Sequence, residues 1–179
     1  YRVLKLDASF NVLASNTYNE TGVTGFQQAA GVLVGPDDTV YVTGRLGTSV
    51  SAKAVTVRFD NGLNGWLSSA AITSDGFTMG RELEYDSTDE TVVVGGVGTV
   101  ISTFNYTVHK YNTDLAQLVS SSSFSTGVTN YKNGAYGMGF DYNKNLIVTG
   151  RRADNAMSIM YFGPPIIKSV SEGWQGTLN

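Results

Sequence analysis

The chain has 179 residues, 41% of them hydrophobic and only 15% charged, with a formal net charge of -3; it is long enough to bury a core, but Ser, Thr, Asn, Gln and Tyr must build its surface. Acids and bases are interspersed, which excludes the basic stripe that nucleic acid requires, and no apolar run reaches the roughly 18 to 20 residues of a membrane-spanning helix. The lack of Cys removes disulfides and thiolate metal sites, while 21 Gly, 10 Tyr, 8 Phe and 3 Pro suit short strands joined by tight turns.

Taken in chain order, the first expected strands are Val3 to Asp7 and Asn11 to Ser15, followed by a sequon at Asn19. Next comes a group of four: Gly31 to Val34, Val40 to Gly44, Thr56 to Asp60 and Gly65 to Ser69, with the turn Gly35-Pro36-Asp37-Asp38 between the first two. Four more follow: Arg81 to Tyr85, Val92 to Gly96, Val108 to Asn112 and Gln117 to Ser121, with a second sequon at Asn105. The last three are Gly137 to Phe140, Leu146 to Gly150 and Ile159 to Phe162.

These segments repeat. The aromatic or Leu position of the Lys/Arg-bearing strand moves from Leu6 to Phe59 to Tyr111, steps of 53 and 52, and the Gly closing the most apolar strand moves from Gly44 to Gly96 to Gly150, steps of 52 and 54. Continuous β-branched runs such as Val92-Val93-Val94 are what a strand needs when both faces of its sheet are covered. Four antiparallel strands per period of about fifty residues make one β-propeller blade. The expected fold is therefore all-β: propeller blades in an incomplete ring, with a partial blade at 1–18, blades at 25–73 and 76–125, and a partial blade at 133–162. Closed rings usually have 4 to 8 blades, so a fragment of a longer polypeptide, or a chain completed by another, is expected.

The run Asp37-Asp38-Thr39-Val40-Tyr41-Val42-Thr43-Gly44-Arg45, followed by Ala54 to Gly62, resembles the SBBP and delta-60 type β-propeller repeats over residues 1 to about 162. Asn145 to Arg151 matches nearly as well, whereas the middle copy has Gly95 and Val97 where the others have Thr and Arg. The resemblance implies a bacterial or archaeal surface or secreted protein and brings no catalytic residue with it. At Gly163-Pro164-Pro165 the ladder must stop. The linker and tail, residues 163–179, are similar to the first strand of an Ig-like domain of the IPT/TIG kind.

His109 is the single histidine. It occupies the repeat position of Leu4 and Val57, which makes it a core-facing or inter-blade residue in need of a hydrogen-bond partner rather than a catalyst. Arg81, Glu82 and Glu84 lie on the first strand of a blade, facing the central channel if the ring exists; a local Arg-Glu pair is favoured there over a cation or acid/base site. The acids Asp37, Asp38, Asp86, Asp89, Asp141 and Asp154 lack EF-hand spacing and read as turn residues. Thr73 to Thr78 lacks the spacer of a sialidase Asp-box. Arg45, Arg151 and Arg152 end strands on equivalent loops and are candidates to meet an anionic glycan. Trp66 and Trp174 are expected to wedge between blades.

The reading is of a non-enzymatic structural or adhesive module of an extracellular or cell-surface protein. It has no catalytic residue, cofactor or metal site, its partners are other chains or missing blades, and Asn19 and Asn105 are possible glycan acceptors. A glycan-binding propeller is the first alternative. A propeller lyase or hydrolase is the second, and it requires Glu82, Glu84 and His109 to converge.

Overall fold

The computed structural model describes residues 1–73, 76–100, 103–128, 134–151 and 157–162. Thirteen strands account for its regular structure, and among the described residues there is no helix. They are β1 (Arg2–Leu6), β2 (Val12–Thr17), β3 (Phe26–Val34), β4 (Val40–Gly47), β5 (Ala52–Phe59), β6 (Trp66–Ile72), β7 (Thr78–Asp86), β8 (Thr91–Val100), β9 (Thr103–Asn112), β10 (Leu118–Val128), β11 (Gly134–Phe140), β12 (Leu146–Arg151) and β13 (Met157–Phe162). Every strand expected up to Phe162 is present. Most run further than the sequence suggests, since pairing continues past the apolar runs wherever the neighbouring strand supplies hydrogen bonds.

The strands form four antiparallel sheets in simple up-and-down order: β1-β2, β3-β4-β5-β6, β7-β8-β9-β10 and β11-β12-β13. No closed barrel or ring is formed by the described strands. Consecutive sheets instead pack face to face. Tyr1, Val3 and Tyr18 of the first sheet bury against Val42, Val55, Val57 and Phe59 of the second. Tyr41 and Leu33 of the second meet Leu83, Val92, Val94 and Tyr111 of the third. Val93, Tyr106 and Val108, on the other face of the third sheet, meet Ala135, Leu146 and Val148 of the fourth. A strand covered on both sides is largely apolar along its length, and Val92, Val93 and Val94 are all buried.

Two kinds of turn fix the meander. In one, Phe10, Leu63 and Leu115 adopt positive φ, at steps of 53 and 52; in the other, Asp38, Glu90 and Lys144 do so, at steps of 52 and 54. The side chain that opens the turn locks it. Asp7 Oδ1 accepts from the amides of Ser9 and Asn11, and Asp141 Oδ1 accepts from those of Asn143 and Asn145. The first strand of each complete ladder also carries a bulge, leaving Ala30, Arg81 and Tyr136 as the extra residues opposite β4, β8 and β12.

Candidate functional site

The register separates the four residues expected at a channel site. Glu82 pairs with Gly95 and Glu84 with Val93, whereas His109 pairs with Val94, which in turn pairs with Leu83. Side chains alternate across a sheet, so His109 lies on the face toward the second sheet while Glu82 and Glu84 lie on the face toward the fourth. The three do not converge. Burial raises the carboxyl pKa of Glu82, and burial together with the Glu82 charge raises that of Glu84.

The expected Arg81-Glu pair is not formed. The bulge turns the Arg81 guanidinium onto the ring of Tyr136, 4.2 Å from its centroid, and burial draws the arginine pKa below its ordinary value. Arg45 likewise departs from expectation. Because β4 runs on to Gly47, Arg45 is a half-buried strand residue rather than a loop residue, its guanidinium 4.8 Å from the Phe26 centroid and 5.4 Å from that of Phe77. The side chain of Arg151, together with Arg152, Asp154, Trp174 and the Ig-like tail, falls outside the described residues.

The turn acids serve the turns and the neighbouring bases. Lys110 Nζ sits 2.7 Å from Asp86 Oδ2 and 2.5 Å from Asp89 Oδ2, and Arg58 Nη2 sits 3.4 Å from Asp37 Oδ2. Burial alone would lower the Lys110 pKa; its hydrogen bonds to Asp86 and Asp89 carry it above the ordinary value. The signal for this pairing was present in the sequence as the repeated Lys/Arg of the third strand and the acids of the preceding turn. Among the described residues, no group of three or more His, Asp or Glu is placed to hold a metal ion.

The two sequons differ. Asn19 is exposed, whereas Asn105 is 4% exposed in the middle of β9, where the folded sheet leaves no room for a glycan. Trp66 meets Tyr18 edge to face at 5.6 Å, bridging the first and second sheets while keeping much of its own ring in solvent.

One cleft was not legible in the sequence. It has a volume of about 270 Å³ and opens between the end of β6 and the outer part of the third sheet, lined by Thr73, Thr107, His109, Ser121 and Ser123 among others. Ser121 pairs with His109 and Ser123 with Thr107, so these four side chains share one face. Gly98 is packed closely at the cleft's edge: a Cβ there would stand 3.0 Å from the Thr107 methyl and 3.1 Å from that of Thr78. His109 Nδ1 is buried without a hydrogen-bond partner, and burial lowers the imidazole pKa to about 4, so the ring is neutral near pH 7. Beside it, Thr78 Oγ1 accepts from the Ala54 amide and shares its single proton between the carbonyls of Ala52 and Ile72, stapling the sheets together.

The geometry defines an all-β protein of stacked antiparallel meanders, with a cleft between two of them that the described residues line with small uncharged side chains and one imidazole. No protein-family profile, curated protein or solved structure matches the chain.

Proposed function

We propose that the chain is a non-enzymatic structural or adhesive module of an extracellular or cell-surface protein, its sheets being blades of a β-propeller completed by further strands of the same polypeptide or of another. One observation carries this reading. Val32 and Val34 of β3 face the first sheet and are 65% and 60% exposed, whereas Leu83, which holds the register position of Val32 in β7, is 5% exposed, and Tyr85, which holds that of Val34, is half-buried. The difference follows from the first sheet having two strands where the second has four. Strands added to the free edge of β1 would cover both valines, as the second sheet covers Leu83. Low charge and a polar, Ser/Thr-rich surface accord with an extracellular setting.

Electron microscopy of the intact protein tests the proposal, with a ring of radial sheets expected. A linear stack whose Val32 and Val34 face is covered by anything other than paired strands would refute it. Protease treatment of whole source cells should release the module, and its retention until lysis would count against a surface location.

The cleft beside His109 favours glycan binding as the second reading. The residues on which an enzymatic reading depended lie on opposite faces of one sheet and lend it no support.

A further inference from the structure

We propose that the cleft between β6 and the β9-β10 pair is a binding subsite for a single neutral sugar unit. Three observations select this ligand. Among the described residues, the cleft is lined by no Asp, Glu, Lys or Arg, so these residues offer nothing to neutralise a phosphate, sulfate or carboxylate, and no counter-charge for a cation. Its free polar groups are hydroxyls and one imidazole: Thr73, Thr107, Ser121 and Ser123 have no side-chain partner among the described residues, and His109 Nδ1 is a buried atom with none. An orphaned buried nitrogen of this kind costs stability until something bonds to it. A dense set of small donors and acceptors in a shallow uncharged cleft complements a ring bearing several hydroxyls, which both donate and accept.

The size agrees. The 270 Å³ cleft has room for one pyranose ring. Ser121 and Ser123 stand on β10, the outer edge strand of the third sheet, so the sugar can enter from the side without parting the two sheets. The neutral imidazole carries one ring nitrogen as donor and the other as acceptor, each able to bond a different group. A ligand of about a dozen non-hydrogen atoms in such an open site is expected to bind with Kd on the order of 1 mM.

This inference gives the adhesive reading a ligand class and is independent of ring closure. A protein that never closes a ring would still hold the cleft, and a cleft that binds no sugar would leave the assembly reading standing. The test is an amide NMR titration of the chain with glucose, galactose, mannose and N-acetylglucosamine, with glucuronic acid as the charged comparison. Saturable shifts confined to Thr107, His109 and Ser121 to Ser123 are expected for at least one neutral sugar, with weaker binding of the acid. His109→Phe, which keeps the ring and removes its nitrogens, and Ser123→Trp, which fills the cleft from the exposed edge, should each weaken binding at least tenfold. No saturable shift with any neutral sugar at tens of millimolar would mean that the cleft holds only water. Unchanged binding in both variants, or shifts centred elsewhere, would place the sugar at another site. Either outcome overturns the proposal.

Discussion

Lys110 sets its ammonium between Asp86 and Asp89 where little solvent reaches, and Asp86 is itself buried. Removing the lysine leaves a carboxylate without its counter-charge, so Lys110→Met should cost about 2–3 kcal/mol in urea unfolding. The Lys53-Glu20 pair is more exposed, and Lys53→Met should cost under about 1 kcal/mol. His109 makes stability depend on pH. Burial lowers its folded pKa from the ordinary 6.5 to about 4, so the unfolded chain binds the extra proton first as pH falls. The His109 contribution is intact above pH 6.5 and is lost progressively toward pH 4, amounting to at most about 3 kcal/mol. In His109→Phe this loss should disappear from the denaturant midpoints, leaving across that window only the opposite-signed gain that the raised carboxyl pKa values of Glu82 and Glu84 give as pH falls. The lowered pKa of Asp86, where hydrogen bonds from Lys110 and Thr88 outweigh burial, adds a separate loss below about pH 3.8.

Among the elements, the turns show how side-chain burial decides a strained position. Phe10 and Glu90 hold positive φ with exposed side chains, while Leu63 and Leu115 hold it with side chains in the core. A left-handed backbone costs a non-Gly residue about 1 kcal/mol. Phe10→Gly and Glu90→Gly should therefore stabilise by about 0.5–1 kcal/mol, whereas Leu63→Gly and Leu115→Gly should destabilise by about 2 kcal/mol, because lost core packing exceeds the relief. Thermal melts of the four variants would separate the cases, and stabilisation by either Leu substitution would show that packing does not hold these turns. The strands themselves were legible: alternating and continuous apolar runs between Asp/Asn-rich turns located all thirteen. Their ends were not, because ladder bonds in the outer halves of β3, β8, β9 and β10 require nothing distinctive of the side chains.

For the molecule as a whole, the consequential feature is the contrast between the covered Leu83 and the open Val32 and Val34. Adding charge there distinguishes a covered face from a free one. Val32→Lys with Val34→Lys should change the stability of residues 1–162 alone by less than about 0.5 kcal/mol. In the intact protein the same pair should cost about 3 kcal/mol or more if strands cover the face. Equal small effects in both would mean that nothing packs there.

Composition and the spacing of turns were sufficient to determine an all-β chain, the grouping of its strands and the lack of a basic stripe or of an apolar run long enough for a membrane-spanning helix, since those properties depend on local periodicity. Which side chains share a space depended on the tertiary structure. A bulge of one residue aimed Arg81 at Tyr136 instead of at Glu82 or Glu84, and sheet pairing set His109 beside Ser121 and away from both acids. The cleft arises where Thr73, Gly98, Thr107 and Ser123 meet across more than twenty residues of sequence; distances between strands are properties of packing, and no linear pattern records them.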